Sequence, residues 1–462
     1  MTSLPPAPLA AAIAERLPQA RWFAGKGQGI EAVSLVDDVS LPDAATLAIV
    51  EVASAGELVR YVVAVDADAA DVAATPAFAR WLIDTVWAGA AHGGGRGRVV
   101  GHAVGSLSTL PAGSPTVTVI GPDASNTSCR VTVGTTTFAL KLVRRCRPGI
   151  QPEVEVGAFV AEQTSWRGTP RLCGWLDYEP ADGGPATTLA TIHEFAAGCD
   201  AAWDRLLGLV RADGSASPRL LAIVDALAGV TAEMHAAIAS RSDVATFAPV
   251  SPSAADRQTQ ARGLADHADA VCRLITEPGP SVAPEIAARL RAVAARRADL
   301  VSRLDSVAEL DSAAANIRVH GDYHLGQVLL TPDDRPLVID FEGEPGRSLD
   351  ERRAKTSACK DVAGMCRSLD YLLRCAARDG GPAYATADAA NLQRRYVAGY
   401  ASRVSGRPWW PARPADADAL LAAYVLDKAL YELAYELKNR PDWVEVPLAA
   451  VETLLVDPLL SP

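Results

Sequence analysis

The chain has 462 residues, enough for two or three domains, and its composition of 49% hydrophobic and 21% charged residues is ordinary for a globular protein. A formal net charge of −11 argues against a general nucleic-acid binder, which would need a basic face. The eight cysteines form no C-x-x-C pair, so we expect reduced thiols in a cytoplasmic protein. We expect neither a signal peptide nor an apolar run of membrane length, and we therefore expect no membrane partner.

The first hundred residues predict a small region with both helix and strand. Leu9–Leu17 fits a short helix, and the following R-W-F-A-G-K segment can form a sharp turn anchored by Trp22. Apolar runs between Ile30 and Asp66 predict β-strands, and Ala77–Trp87 has helical spacing. The glycine-rich run Ala91–Arg98 predicts a flexible link or loop tip, near which this region should end.

Three further strands are predicted between Thr116 and Val143, in the order that opens a kinase N-lobe. The turn Asp123–Ser128 could cover nucleotide phosphates with backbone N–H groups and small side chains, or could be a plain hairpin turn. Lys141 lies in an apolar strand, where a buried ammonium needs a partner. Phosphates and a helix Glu supply that partner in kinases, whereas on an edge strand Lys141 would face solvent.

The chain becomes alanine-rich and helical after Cys199. Leu220–Ser240, Ala254–Thr276 and Pro284–Ser306 predict long amphipathic helices. His235 and His267 lie on these helices, and we expect both to be core or surface residues rather than ligands.

Residues 319–345 predict a β-hairpin flanked by polar side chains, which would bring Asp322, Gln327 and Asp340 together. This combination suits phosphoryl transfer, because one carboxylate can accept a hydroxyl proton while a carboxylate and an amide oxygen hold Mg²⁺. The spacing from Asp322 to Gln327 repeats that of Asp and Asn in the catalytic loop of protein kinases. The alternative is a buried hairpin in which Asp322 only caps a turn.

Polar residues also follow the hairpin closely. Glu342 and Glu344 could modulate a metal or a substrate. Asp361 is placed as the N-cap of the next helix, and we expect a structural role for it and for Arg367.

The last informative segment, Ala415–Arg440, predicts a helix with two distinct faces. One face is leucine-rich. The other carries Tyr424, Lys428, Tyr431, Glu432, Tyr435 and Asn439. Aromatic rings with polar partners suit a sugar, although this face could also pack on a neighbour or remain in water.

Taken together, these motifs resemble the actinobacterial maltokinases, which belong to the aminoglycoside phosphotransferase branch of the kinase-like fold. The resemblance is carried by R-W-F-A-G-K, S-N-T-S, A-L-K, R-P-G-I-Q-P-E-V-E, H-G-D-Y-H-L-G-Q, I-D-F-E-G-E-P and the final K-x-x-Y-x-x-x-Y helix with N-R-P-D-W. It implies an α+β, bilobal, protein-kinase-like fold. The expected parts are an N-terminal cap (1–105), an N-lobe or intermediate subdomain (106–200) and a mostly helical C-lobe (201–462).

The resemblance implies ATP-dependent phosphorylation of maltose at the anomeric hydroxyl, giving maltose 1-phosphate on a route from trehalose to α-glucan. The implied cofactors are ATP and Mg²⁺, and the implied partner is a trehalose synthase. Asp322 would orient and deprotonate the hydroxyl, Gln327 and Asp340 would hold Mg²⁺, and Lys141 would position the ATP phosphates. The remaining implied positions are Ser125, Asn126, Thr127, Ser128, Glu155, His193, Glu194 and Phe195 for ATP, and His324, Lys428, Tyr431, Glu432 and Tyr435 for the sugar.

Three points stay open within this resemblance. Glu155 is the first choice as partner of Lys141 and Glu153 the second. Related cap-bearing enzymes phosphorylate glucosamine, but Lys428 disfavours a cationic substrate and therefore favours a neutral sugar. A pseudokinase that binds nucleotide or a partner enzyme without turnover is the third alternative.

Overall fold

The protein, seen as a computed structural model, is described for residues 6–23, 25–27, 29–105, 112–121, 125–279, 282–310, 314–378 and 386–456. It folds as two compact units. Unit 1 comprises Met1–Ala197 with Arg347–Leu349, and unit 2 comprises Gly198–Gly346 with Asp350–Pro462. Both units contain helices and strands, which confirms the predicted α+β class.

Unit 1 contains two antiparallel sheets and three helices among its described residues. Its elements are α1 (Pro6–Arg16), β1 (Ile30–Ser40), β2 (Thr46–Ser54), β3 (Glu57–Val65), α2 (Pro76–Ala88), β4 (Ala91–Gly93), β5 (Gly97–Ala103), β6 (Thr116–Val119), β7 (Thr127–Val133), β8 (Thr136–Leu142), α3 (Pro152–Gln163), β9 (Leu172–Pro180) and β10 (Thr187–Glu194). The small sheet has the order β1-β2-β3, and the larger one has the order β4-β5-β9-β10-β8-β7-β6.

One hydrophobic core joins the predicted cap to the predicted N-lobe. It contains residues of β1–β3, of α2 and of the large sheet, from Val39 to Ile192. Helix α2 is well defined at both ends, because Thr75 caps its start through Phe78 N and Gly89 ends it in the left-handed conformation. Residues on both sides of position 105 therefore contribute to one core, and the predicted division there stays a prediction.

The glycine-rich run near residue 95 forms a β-hairpin, so of the two predicted alternatives the loop tip is confirmed and the flexible link is wrong. Strands β4 and β5 pair with each other, and β5 also pairs with β9 of the large sheet. The buried carboxylate of Asp37 holds the hairpin turn by accepting hydrogen bonds from Gly95 N (2.7 Å), Arg96 N (2.9 Å) and the hydroxyl of Tyr178 (2.9 Å). A buried carboxylate needs such donors, and glycines at the turn let the backbone approach it closely.

Unit 2 is mainly helical. Its elements are β11 (Asp200–Ala201), α4 (Ala202–Asp213), α5 (Pro218–Ile238), α6 (Ala254–Thr276), α7 (Pro284–Ala295), α8 (Arg297–Asp305), β12 (Val328–Leu330), β13 (Pro336–Val338), α9 (Leu349–Arg353, whose first residue belongs to unit 1), α10 (Cys359–Arg378), α11 (Thr386–Val404), α12 (Pro414–Asn439) and α13 (Glu445–Val456). The three short strands form one sheet in the order β11-β12-β13.

Helix α5 corrects the expectation that no segment reaches membrane length. By length and composition it could cross a membrane, but 56% of its most apolar window is buried inside the fold. It also buries the polar side chains of Thr231 and His235, which bond to tyrosines of α11. These contacts are typical of a core helix, and His235 has the structural role that the sequence predicts.

Candidate active site

The predicted hairpin is present in unit 2 and brings two of its three polar residues into contact. Val328 pairs with Val338, and Ile339 N donates to the carbonyl oxygen of Gln327 (3.0 Å). This register places Gln327 Nε2 3.2 Å from Asp340 Oδ2. The amide of Gln327 thus donates to the Asp340 carboxylate, and each of the two side chains carries an oxygen of the hard type that Mg²⁺ prefers.

The backbone at Asp340 has a left-handed conformation, with φ of 65°. Such a conformation costs a non-glycine residue on the order of 1 kcal/mol, and Asp tolerates it better than most residues. Gly321 and Gly343 also have positive φ, and a Cβ on Gly321 would lie 3.4 Å from the Cα of Gly343. The loop before β12 and the loop after β13 therefore pack backbone against backbone, which holds the Asp340 carboxylate in a strained but fixed position.

Asp322 lies in a largely buried, positively charged environment. Its Oδ1 accepts a hydrogen bond from Lys428 Nζ at 2.9 Å, and its Oδ2 lies 4.0 Å from His324 Nε2. Burial alone would raise the pKa of Asp322, but the ammonium of Lys428, with a smaller contribution from His324, lowers it to about 2. Asp322 is therefore an ionised carboxylate at neutral pH, and the alternative of a simple turn cap does not describe its contacts.

The two histidines beside Asp322 have defined roles. His320 Nε2 lies 2.9 Å from the carbonyl oxygen of Ile339, which can only accept, so the proton is on Nε2 and Nδ1 faces Asp322 N. His324 Nδ1 accepts from Gly326 N at 3.0 Å, so a neutral His324 carries its proton on Nε2, towards Asp322. Burial lowers the pKa of His324 to about 4, more strongly than Asp322 raises it, so the neutral form prevails at pH 7.

Asp361 anchors the segment that precedes Asp322. It lies inside the first turn of α10 rather than at the N-cap position that the sequence predicts. Its carboxylate accepts from His320 N (2.7 Å), Gly321 N (2.9 Å) and His235 Nε2 (3.0 Å), and it is 1% exposed. Burial acts to raise the pKa of Asp361, but the hydrogen bond and charge of His235 outweigh it and keep the pKa low.

The same segment also approaches helix α10 so closely that only glycine fits. A Cβ on Gly364 would lie 2.4 Å from the carbonyl oxygen of Tyr323. We expect Gly364→Ala to lower the free energy of unfolding by about 2 kcal/mol, because backbone would have to move to relieve the clash. Gly208→Ala is the matched control, since α4 leaves open space there and alanine should stabilise the helix by up to about 1 kcal/mol. Urea unfolding measures both, and equal stabilities of the two variants would contradict the close contact.

The pairing of Asp322 with Lys428 predicts a pH dependence of stability. The folded-state pKa of Asp322 is depressed, so its contribution is present above the unfolded-state value of about 3.9 and is lost as the pH falls towards 2. In Lys428→Met the carboxylate keeps its burial but loses the ammonium, so its folded-state pKa should rise above the unfolded-state value. The variant should then lose stability relative to the wild type as the pH rises from 4 to 7. The loss should be about 1.4 kcal/mol for each unit by which the folded-state pKa of Asp322 exceeds its unfolded-state pKa.

Urea unfolding of both proteins at pH 4 and pH 7 measures this difference. Titrating groups remote from Lys428 cancel in the comparison, whereas His324, whose pKa Lys428 also lowers, contributes to it. Arg335→Met is a suitable control, because Arg335 pairs with Asp333 on the exposed hairpin turn. A stability difference between wild type and Lys428→Met that does not change with pH would show that the pair does not set the pKa of Asp322.

Helix α12 presents an aromatic surface next to Lys428. The Lys428 ammonium lies 4.6 Å from the centre of the Tyr431 ring, and the Tyr431 and Tyr435 rings stack with centroids 6.4 Å apart. Tyr435 is 46% exposed. A flat, partly exposed aromatic surface with a fixed cation is suited to packing on a sugar ring.

Two other residues of α12, Glu432 and Tyr424, bond to residues outside this helix and away from the aromatic surface. Glu432 Oε2 accepts from the buried guanidinium of Arg367 at 2.7 Å. A sugar would have to share this carboxylate with Arg367, and the sugar contact of Glu432 stays a prediction. Tyr424 is buried and bonds to Gln260 and Thr356, so it does not belong to the polar face of the helix.

In unit 1, Lys141 lies on an interior strand, which excludes the edge-strand alternative. Strand β8 pairs with β7 on one side and β10 on the other. The Lys141 ammonium donates to Glu153 Oε2 at 3.1 Å. The preference for Glu155 is therefore corrected: α3 begins at Pro152 and directs its second residue, the buried Glu153, at the sheet, while Glu155 lies about 200° further around the helix.

The predicted phosphate loop is only partly described, because Asp123 and Ala124 lie outside the described residues. Ser125 is exposed, and Thr127 and Ser128 already belong to β7, where Ser128 is opposite Lys141. Asn126 Oδ1 accepts from Arg144 N (3.2 Å), and Thr127 Oγ1 accepts from Arg144 Nε (2.8 Å). These two side chains hold an arginine, and phosphate binding by residues 125–128 stays a prediction.

Sequence reasoning missed Arg144, which is 1% exposed. Its guanidinium lies 4.5 Å from the Trp22 ring and donates to Asp71 Oδ2 at 2.5 Å, and Asp71 Oδ2 also accepts from Trp22 Nε1. The R-W-F-A-G-K motif thereby contacts the start of β7 through one buried cation. An arginine next to a strand end could have signalled this role, but its partners are too distant in sequence to be read from a pattern.

The predicted adenine-binding segment ends strand β10. His193 Nε2 lies 3.9 Å from Glu153 Oε1. The amide of Glu194 donates to Arg171 O (2.9 Å) and that of Phe195 to Thr137 O (3.2 Å). These two donors are used within the sheet, so contacts from residues 193–195 to adenine stay a prediction.

Comparison with known proteins identifies the class to which this fold and these residues belong. Residues 116–343 match the phosphotransferase enzyme family. The chain is also 31% identical over 296 residues to a glucosamine kinase of Mycolicibacterium smegmatis, covering 63% of this chain and 68% of that protein. The chain belongs to the phosphotransferase enzyme family and is a kinase-family enzyme.

A second match, in the N-terminal region, shows which kind of family member this chain is. Residues 17–105 match the maltokinase N-terminal cap domain, so the chain is a cap-bearing member of the family, as the sequence predicts. A glucosamine kinase of Streptacidiphilus jiangxiensis is 28% identical over 70% of this chain and 69% of its own length.

Solved structures confirm the kinase-like fold with its cap. A glucosamine kinase in complex with glucosamine, ADP and inorganic phosphate aligns with a TM-score of 0.66 over 98% of this chain and 100% of its own, at 24% identity. A second crystal form of a glucosamine kinase aligns with a TM-score of 0.68 over 97% and 99% of the two chains.

Proposed function

We propose that this protein transfers the γ-phosphoryl group of ATP to the anomeric hydroxyl of maltose and releases maltose 1-phosphate. The observation that carries the proposal is the ionised Asp322, held at 2.9 Å by Lys428 on the same helix as the stacked Tyr431 and Tyr435. This arrangement puts a proton acceptor, a cation and a sugar-binding aromatic surface next to one another.

Asp322 acts chiefly by orienting the attacking hydroxyl. A carboxylate with a pKa of about 2 is a weak base, so it accepts a hydrogen bond from the hydroxyl and takes its proton only as the new P–O bond forms. Lys428 keeps the carboxylate ionised and fixes its direction. His320 and Asp361 hold the backbone of this segment, so that Asp322 is positioned before the substrate arrives.

Gln327 and Asp340, which lie in contact, would hold Mg²⁺, because each side chain carries an oxygen of the kind that this ion prefers. When bound, the ion neutralises the phosphate oxygens of the nucleotide. In unit 1, Lys141 would contact ATP phosphates while Glu153 fixes its side chain.

The charge around the sugar surface favours a neutral acceptor. Lys428 lies between Asp322 and Tyr431, and an ammonium group on the substrate would be repelled there. The cap-domain match supports the same assignment. We further propose that a trehalose synthase, as a source of maltose, is a partner of this enzyme.

Glucosamine phosphorylation is the second candidate. It is favoured by the two curated relatives, both glucosamine kinases. Glu344 also favours glucosamine, because it lies close to Tyr431. Burial raises the pKa of Tyr431 to about 12, and the charge of the Glu344 carboxylate contributes to this increase. A carboxylate beside the aromatic surface could accept an amino group.

ADP release with ATP and Mg²⁺ against maltose, glucose, glucosamine, an aminoglycoside and no sugar separates these candidates. We expect kcat/KM for maltose to exceed that for glucosamine by at least about 100-fold, because the half-buried cation of Lys428 opposes a second positive charge. Turnover with glucosamine in preference to maltose would retain the phosphotransferase and replace the substrate. No ADP release with any of these acceptors would favour the alternative of a pseudokinase.

A further inference from the structure

A chain of ion pairs joins helix α10 to helix α12 in unit 2 and ends close to the proposed acceptor surface. Arg374 Nε donates to Asp370 Oδ2 at 2.8 Å, and the same oxygen accepts from Arg367 Nη1 at 2.5 Å. The other nitrogens of the Arg367 guanidinium, Nε and Nη2, donate to Glu432 Oε2 at 3.1 and 2.7 Å. Charges of opposite sign therefore alternate from α10 to α12.

The pair of Arg367 and Glu432 is covered on one side only. The Arg367 side chain is 1% exposed, whereas that of Glu432 is 15% exposed. Burial acts to lower the pKa of Arg367, but the charges of Glu432 and Asp370 outweigh it and raise that pKa. Arg367 therefore remains a cation, and solvent reaches the pair at Glu432.

Glu432 also lies near the residues assigned to the acceptor. It follows Tyr431 directly and comes about one helical turn after Lys428. Burial acts to lower the pKa of Lys428, whereas the charges of Asp322 and, to a smaller extent, Glu432 raise it. A carboxylate at this place would attract a positively charged acceptor if no cation of the protein neutralised it.

Packing between the two helices does not require an ion pair at Arg367. Apolar residues in place of a buried ion pair are often as stabilising or more so, because charges lose their hydration on burial. The same two helices are also joined by the hydroxyl of Tyr371, which donates to Glu436 Oε1 at 2.9 Å. What Arg367 adds to this packing is one positive charge that cancels the charge of Glu432.

We propose that Arg367 is a positioning residue that makes the acceptor surface selective for uncharged sugars, by holding and neutralising the Glu432 carboxylate. This inference rests on the proposed function, in which the sugar binds at the aromatic surface of α12. Without Arg367, the Glu432 carboxylate would be free to turn towards Lys428 and Tyr431. It could then accept the ammonium group of an amino sugar.

Titration calorimetry with maltose and, separately, with glucosamine at pH 6, at which an amine is charged, tests this role without relying on turnover. Arg367→Gln retains a hydrogen-bond donor but removes the charge. Arg374→Gln is the matched control, since it makes the same change at the end of the chain that contacts Asp370 and not Glu432. The readout is the ratio of the two dissociation constants, because a loss of stability alone affects both sugars alike.

We expect Arg367→Gln to shift this ratio about tenfold towards glucosamine, because one carboxylate near the ligand is left without its counter-charge. Arg374→Gln should stay within about twofold of the wild type, since solvent screens its more remote charge. Glu432→Gln leaves a surplus positive charge and should shift the ratio about tenfold in the opposite direction. The double variant Arg367→Gln with Glu432→Gln should return the ratio to the wild-type value.

A ratio within about twofold of the wild type in Arg367→Gln would overturn the proposal, as would an equal shift in Arg374→Gln or no binding of either sugar. If Arg367→Gln does not fold, Glu432→Gln decides alone, and an unchanged ratio there overturns the proposal. ADP release measured in parallel separates this inference from the proposed function. Turnover of maltose with an unchanged ratio contradicts only the inference, and a shifted ratio without turnover of maltose contradicts only the proposed reaction.

Discussion

Asp322→Asn should reduce kcat for phosphoryl transfer by about 10³-fold or more while leaving the fold intact, because the variant retains the shape of the side chain but cannot accept the hydroxyl proton. The KM for ATP should change little, since the residues assigned to the nucleotide belong to unit 1. Coupled-enzyme detection of ADP with maltose as acceptor measures both parameters.

Asp333→Asn is the matched control for this prediction. It makes the same chemical change eleven positions further along, on the exposed turn of the same hairpin, where Asp333 contacts Thr331 and Arg335. Its kcat should equal that of the wild type. If Asp322→Asn kept more than about a tenth of wild-type kcat, Asp322 would not be the group that orients the hydroxyl.

The second large effect concerns stability. Asp361→Asn should lower the free energy of unfolding by about 3 kcal/mol, because a buried amide cannot accept on both ends from His320 N, Gly321 N and His235 Nε2. One of these donors would face the NH₂ group and remain unsatisfied. Urea unfolding of the variant measures this loss.

This variant should also lose activity under conditions in which it is fully folded, because the backbone before Asp322 is no longer fixed. Asp442→Asn, an exposed change after α12, should leave both stability and activity unchanged. A stable but inactive Asp361 variant would indicate a direct chemical role, and a stable, active one would mean that the three hydrogen bonds do not hold the loop.

The sequence predicted the parts of the site that depend on local pattern. The hairpin at residues 328–338, the strand that carries Lys141 and the helical span of α12 follow from residue periodicity and turn chemistry. The kinase-like class followed from fixed spacings within short segments, and the family match confirms it.

What the sequence could not predict depends on contacts between distant segments. Asp361 bonds to amides about 40 positions earlier, and its sequence position suggested only an N-cap. The choice between Glu153 and Glu155 depends on which side of α3 meets the sheet, which the pattern of the helix alone does not determine. The glycine-rich run at 94–97 looked flexible because its anchor, Asp37, lies far upstream.

The same limit applies to the sugar surface. Helical spacing grouped Tyr424 and Glu432 with Lys428, but the structure directs them to Gln260 and to Arg367. Spacing shows which residues share a side of a helix, whereas the neighbouring helices decide which of them remain accessible.

The most direct test of the proposed reaction is the product itself. ³¹P NMR of a reaction containing ATP, Mg²⁺, maltose and the wild-type enzyme should show a new phosphomonoester coupled to the anomeric proton of the reducing glucose, and the signal should be missing with Asp322→Asn. A phosphomonoester on another hydroxyl, or a signal of equal intensity with the variant, would contradict the role assigned to this site.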